Sequence, residues 1–303
     1  RIADHKPFGN LAFREVIAKS SNVGTIKTAL RVANKDFYAT IRAFGFGRTT
    51  GIDLPGESPG LLMPVERWPA LAKAYISFGQ GLSVTPLQLV RAFGAVANGG
   101  RLLAPYVVRQ IGASADARYP HPQPVVAGEP VSPQTIATLR ELLAGVTREG
   151  GTATNAALPG YPVAGKTGTA QKAVPGRGYL PDEFIASFAG FAPISRPALV
   201  GLVVVDDPRG TYHGSQAAAP IWAAVARQTL LYLNVRPERE RPELGPFEGD
   251  PDAEPEVPGG ATLAAAQMPP AEAVAEATPA PASAGGLPDL TGRTAREAVV
   301  AAA

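Results

Sequence analysis

Apolar positions follow a helical period over the first third of the chain and a strand period in the middle. Leu11, Phe13, Val16 and Ile17 form one stripe behind Asn10, and Val23, Ile26, Ala29 and Leu30 form another. These spacings predict helices over about 10–19 and 22–33, with similar patterns at 35–44 and 66–77. Thr85-Pro86 makes an N-cap and first-turn pair for a helix ending near Asn98-Gly99-Gly100. Ser132-Pro133 opens another, with Ile136, Leu139, Leu143 and Val146 on one face and Gly150-Gly151 at its end. The pattern then changes to alternation, predicting strands at 160–172, 184–192 and 198–206 before a long helix at about 217–233. Three successive strands without a crossover helix read as an antiparallel meander. The fold class expected is α+β, an antiparallel sheet flanked by helices.

Composition divides the chain. Residues 1–235 carry 23 basic and 14 acidic side chains, a net of +9, whereas residues 236–303 carry 5 and 12, a net of −7. Between Arg236 and Gly286 lie 10 of the 31 prolines and 10 acidic residues against 3 basic ones. Such a stretch buries too little apolar surface to offset ordering entropy, so 236–286 is expected to be a Pro/Ala-rich acidic linker. The basic domain suits a carboxylate-bearing peptide or an anionic membrane surface; no nucleic-acid reader motif accompanies the charge. Zero cysteines exclude disulfides, thiol nucleophiles and cysteine-ligated metals. His5, His121 and His213 lack metal-ligand spacing.

The chemistry concentrates at Lys166-Thr167-Gly168-Thr169. From Gly160 to Thr167 the string satisfies the phosphate-loop pattern G-x-x-x-x-G-K-[ST], and Val203-Val204-Val205-Asp206 resembles a magnesium-holding strand end. A phosphate loop, however, needs a helix starting at its Lys-Thr. Gly168, Pro175, Gly176, Gly178 and Pro181 leave no room for one. Lys166-Thr167-Gly168 is equally a signature of the serine acyl-transferases that penicillin inhibits. Ser20-Ser21-Asn22, at the junction of the first two helices, matches the Ser-x-Asn motif that accompanies it. For that tripeptide alone, helix capping is a sufficient account.

The segments Lys19–Gly24, Tyr75–Gly81 with Thr85–Leu89, and Tyr212–Gln216 with Ala217–Pro220 together resemble class B penicillin-binding proteins, the septal peptidoglycan transpeptidases of cell division. The resemblance runs from about Arg1 to Pro237. It implies the penicillin-binding transpeptidase and serine β-lactamase-like fold, a five-stranded sheet with helices on both faces, and residues 1–235 as the C-terminal part of that domain. It implies a substrate, a stem peptide ending in D-Ala-D-Ala, and β-lactams as its mimics. It also implies divisome membrane proteins as partners, and neither cofactor nor metal. By the same resemblance, Ser20 is a proton relay, Asn22 holds a catalytic lysine and the donor peptide, and Lys166 supplies positive charge toward the substrate carboxylate. Thr167 and Thr169 hydrogen-bond that carboxylate, the Thr169 N–H serves the oxyanion, and Gly168 leaves room for a peptide along the strand.

One family element is missing. The nucleophile lies in a Ser-x-x-Lys motif, and no serine here has lysine three positions later. Thr169-Ala-Gln-Lys172 is the nearest look-alike, and it belongs to the Lys166 strand. The chain starts at Arg1 and has no apolar run of transmembrane length. It therefore reads as a piece of a protein anchored in the inner membrane, its catalytic domain facing the periplasm and its anchor and nucleophile upstream. Leu287–Gly292 with Ala295–Ala298 resembles the opening of a PASTA domain, so 287–303 is expected to be its truncated start. Two other functions share parts of the pattern: a penicillin-recognising hydrolase (carboxypeptidase or β-lactamase), and a non-catalytic wall-binding scaffold. No serine sits in G-x-S-x-G, since Gly81–Thr85 fails at its last position. Asp206-Asp207 before Pro208 reads as a strand end, and Trp68 and Trp222 as core or groove aromatics.

Overall fold

The computed structural model describes residues 2–108, 123–174 and 178–238. All but residues 236–238 of the linker expected at 236–286, the PASTA-like segment at 287–303, and His121 lie outside the described residues.

Five helices come first in the chain: α1 (Phe13–Ala18), α2 (Asn22–Ala29), α3 (Asn34–Ala43), α4 (Ala72–Ser77) and α5 (Pro86–Ala97). A two-stranded pair, β1 (Leu102–Leu103) and β2 (Val126–Gly128), follows and then α6 (Pro133–Thr147). The sheet strands are β3 (Ala164–Val174), β4 (Gly178–Ala192) and β5 (Leu199–Asp206). The last described elements are α7 (Gly214–Ala217) and α8 (Ala219–Tyr232). The sheet order is β3-β4-β5, antiparallel throughout, so among the described residues β3 is an edge strand.

The α+β meander is as expected, with differences at particular residues. The helix expected at 66–77 is split, because Pro69 has no N–H to continue it: a short 3-10 turn at Val65–Arg67 precedes α4. β4 starts at Gly178 rather than 184, with Pro181 inside it. That proline is tolerated because it falls in the register shift between β3 and β4, where residues 180–183 have no ladder partner, and before β5 begins to pair at Ile185. The sheet has three strands among the described residues where five were expected, and the β1-β2 pair was not foreseen.

Two cores fix the sheet. Phe188, fully buried on β4, meets Trp222 of α8 edge-on with ring centroids 5.2 Å apart, over Val146, Ala218, Ala226 and Leu230. Trp222 lies so close to β5 that a Cβ at Gly201 would stand 2.7 Å from its Nε1. A second cluster packs Ala164 and Phe191 of the sheet against Val96 and Ala97 of α5 and Ile136 of α6. The motif at Thr85–Leu89 is structural: Thr85 and Gln88 form a reciprocal capping box. The buried Gln88 amide also donates to the carbonyls of Arg48 at 2.8 Å and Pro59 at 2.9 Å, tying two loops to α5. Of the described residues, no helix is long and apolar enough to cross a membrane.

Candidate active site

Ser20 occupies the turn between α1 and α2 with φ of 54°, in the left-handed region where a side chain normally costs about 1–2 kcal/mol. The turn closes by local hydrogen bonds: Ser20 N–H donates to the Ile17 carbonyl at 3.2 Å and Ser21 N–H to the Val16 carbonyl at 3.0 Å. This is the Schellman pattern, and Ser20 stands where glycine is usual. Ser21, 2% exposed, caps α2 by accepting from Gly24 N–H at 2.9 Å. Its hydroxyl donates to Asp4 Oδ2 at 2.9 Å, and Asp4 Oδ1 accepts from Val23 N–H at 3.1 Å. So Ser21, not Ser20, is the capping residue of the tripeptide.

Lys166 comes from β3, far away in sequence. Its Nζ donates to Ser20 Oγ at 2.8 Å, to the Thr167 carbonyl at 3.1 Å and to Thr167 Oγ1 at 3.5 Å. No carboxylate of the described residues forms an ion pair with it. Burial without a counter-charge pushes the Lys166 ammonium down to about 8. Thr167 Oγ1 also lies 3.2 Å from Thr152 Oγ1. Thr169, two residues on and exposed, accepts from Gly214 N–H at 3.1 Å.

Packing constrains the two glycines here unequally, Gly214 by backbone oxygens and Gly168 only by the Ser187 hydroxyl, which can rotate away. A Cβ at Gly168 would meet Ser187 Oγ at 2.4 Å, so its nearest obstruction is the paired β4 strand rather than an incoming peptide. A Cβ at Gly214 would stand 2.4 Å from both the Gly168 and Ser187 carbonyl oxygens, so only glycine lets α7 approach β3 and β4.

The structure thus brings Ser20, Lys166 and Thr167 into contact and sets Gly168 and Thr169 beyond them on one strand. Asn22 begins α2, and its Nδ2 donates to the Ala3 carbonyl at 3.4 Å rather than to the Lys166 group. Thr152 belongs to the same network and was missed by sequence reading. It follows Gly150-Gly151 and looked like the end of a helix. Lys166 lies inside a strand with no helix at its Lys-Thr, which overturns the phosphate-loop alternative. Asp206 ends β5 as expected and pairs with Lys172 at 2.9 Å. Trp222 is core; Trp68 is partly exposed, donating to the Met63 carbonyl at 2.8 Å. His213 flanks α7 beside the Tyr212 ring, and no grouping of the described residues could hold a metal ion.

Chemically, an ammonium that only donates is seated against a hydroxyl that both donates and accepts, beside an open strand edge. With the Ser20 oxygen accepting from Lys166, the Ser20 proton is directed elsewhere.

Residues 2–227 match the penicillin binding protein transpeptidase domain family. The chain is similar to Stage V sporulation protein D of Bacillus subtilis, 40% identical over 237 residues, 78% of this chain and 36% of that protein. It is 36% identical over 239 residues to the peptidoglycan D,D-transpeptidase FtsI of Escherichia coli K12, 78% of this chain and 38% of that protein. It thus spans little more than a third of these curated relatives. Among solved structures it resembles penicillin-binding protein 3 of Mycobacterium tuberculosis complexed with ampicillin, with TM-score 0.72 and 36% identity, covering 80% of this chain and 56% of that one. The apo transpeptidase domain of Burkholderia pseudomallei penicillin-binding protein 3 gives TM-score 0.69 and 37% identity, covering 77% and 68%.

Proposed function

The chain belongs to the penicillin-binding protein transpeptidase family, and from that premise we propose that it is the Ser20- and Lys166-bearing part of a serine-type peptidoglycan D,D-transpeptidase. The observation that carries this reading is the 2.8 Å hydrogen bond from Lys166 to Ser20, which joins two motifs 146 residues apart. The attacking serine comes from a Ser-x-x-Lys segment outside residues 1–303, since the chain contains none. That serine attacks the carbonyl of the penultimate D-Ala, forming an ester as the terminal D-Ala leaves. The leaving nitrogen needs a proton. Ser20 delivers it, because Lys166 occupies the Ser20 oxygen as donor and leaves the O–H free to point at the groove. Ser20 then regains a proton originating from the attacking hydroxyl. An amine of a second stem peptide attacks the ester and restores the serine, completing the cross-link.

Thr167 and Thr169 recognise the terminal carboxylate, assisted by the Lys166 charge, and the open edge of β3 receives the extended peptide. Asn22 holds the lysine of the nucleophile motif once that segment covers α2. A β-lactam enters by the same route and stops at the ester. The setting is septal wall synthesis, with the domain facing the periplasm from an inner-membrane anchor and working beside divisome membrane proteins.

Intact-protein and peptide mass spectrometry with a penicillin tests this. In the parent protein, meaning this chain joined to its Ser-x-x-Lys segment, one adduct is expected, on the serine of that motif. The 303-residue chain alone is expected to form none. A stoichiometric adduct on Ser20 would overturn the relay role.

A further inference from the structure

Thr167 and Thr169 each have one proton and an oxygen that accepts, and protein donors already engage both oxygens. Gly214 N–H, which can only donate, occupies Thr169 Oγ1 at 3.1 Å. Lys166 Nζ, likewise only a donor, approaches Thr167 Oγ1 at 3.5 Å. The remaining partner of Thr167 is Thr152 Oγ1 at 3.2 Å, where either hydroxyl could donate. If Thr167 donated to Thr152, its only proton would be used inside the protein and none would remain for a ligand. In the opposite direction Thr152 donates and the Thr167 proton is left for a ligand, which is the arrangement that carboxylate recognition by Thr167 requires.

Backbone geometry fits this placement. Thr152 N–H donates to the Ala18 carbonyl at 3.0 Å, two residues before Ser20, and Ala153 N–H donates to the Val146 carbonyl at 2.8 Å. A Cβ at Gly151 would stand 2.3 Å from the Val146 carbonyl oxygen, so the preceding residue lies tightly against α6. Thr152 is therefore fixed between the end of α1 and the site strand.

We infer that Thr152 is a positioning residue that commits the Thr167 hydroxyl to donating, so that Thr167 and Thr169 form a donor pair for a carboxylate. The inference rests on the transpeptidase reading and deepens it: specificity for a free carboxylate is set partly by a residue outside the Lys-Thr-Gly motif. Thr152 itself need not touch the substrate.

The test uses the 303-residue chain with labelled threonine methyl groups, titrated by NMR with N-acetyl-D-Ala-D-Ala and with its C-terminal amide. The unaltered chain is expected to prefer the acid by about tenfold, the scale of one charge-assisted hydrogen bond. Thr152→Val is expected to reduce that preference to about twofold, mainly by weakening acid binding, and Thr152→Ser to restore it. Amide affinity and methyl shifts remote from the site should stay unchanged in both variants, a pattern that general loosening would not give. An undiminished acid preference in Thr152→Val would overturn the inference and leave the transpeptidase reading standing. No acid preference in the unaltered chain would remove carboxylate recognition at this strand, and the inference with it.

Discussion

The Ser20 turn and the Lys166–Thr169 strand meet at one hydrogen bond but are held in opposite ways. The strand is paired with β4 along nearly its whole length and backed by the fully buried Phe188. Its precision comes from packing. The turn lies between helices of six and eight residues, which contribute only Val16 and Ala29 to the buried apolar set. Its precision comes from local hydrogen bonds to Asp4, Val16 and Ile17, and it carries a side chain in a conformation that favours glycine. The sheet supplies a fixed charge, and a strained turn supplies a hydroxyl aimed at it. Strain of this kind persists only where surrounding contacts over-determine it.

The comparison is broken most severely by removing the charge. In the parent protein, Lys166→Ala should cost about 2–4 kcal/mol of transition-state stabilisation, or roughly 30- to 1000-fold in penicillin acylation rate. Stopped-flow acylation checks this, with circular dichroism to verify the fold.

The second effect is on stability against pH. Burial lowers Lys166 from its ordinary 10.5 to about 8, so the folded state binds fewer protons than the unfolded state between those values. Stability from this group therefore rises as pH increases through that window, by up to about 3 kcal/mol, and the full penalty is present below about pH 8. Urea unfolding at pH 7.5 and pH 10 should show this rise in the 303-residue chain, and Lys166→Met should lack it. Carboxylate recognition should weaken over the same range as the ammonium is lost.

A third test concerns packing. Gly165→Ala places a Cβ 2.4 Å from Phe188 Cζ and 2.7 Å from the Ala189 carbonyl oxygen, and should destabilise the fold by about 1–3 kcal/mol. Denaturant midpoints would measure it; a cost near zero would mean the strand is less rigidly backed than described. The smallest effect isolates the strain at the turn. Ser20→Gly and Ser20→Ala both lose the hydroxyl, but the glycine variant should be more stable by about 1 kcal/mol. Equal stabilities would mean that Ser20 is unstrained.

The same contrast explains what the sequence revealed. The strand was legible because alternation over 163–170 and the glycines and prolines after Lys166 excluded a helix there. The partner motif was legible because its resemblance covers a contiguous segment, Lys19–Gly24. The left-handed backbone at Ser20 was hidden, because serine there gives no glycine-like signal. Pro181 concealed the first half of β4, since its place in the register shift opposite β3 appears only in the strand pairing. Thr152 was hidden for a further reason. A single threonine after two glycines carries no period, and its contact with Thr167 depends on how α6 returns toward β3.

The central claim is that Ser20 and Lys166 act as one unit in acyl transfer, and a double-mutant cycle on acylation rate tests it most directly. Ser20→Ala, Lys166→Ala and the double variant would be compared in the parent protein with the same penicillin. A coupling of roughly 1–3 kcal/mol is predicted, the double variant being far less impaired than the product of the single losses, because Lys166 works partly through Ser20. Losses that simply add, within about 0.5 kcal/mol, would contradict the account; so would single variants that both acylate within about twofold of the parent.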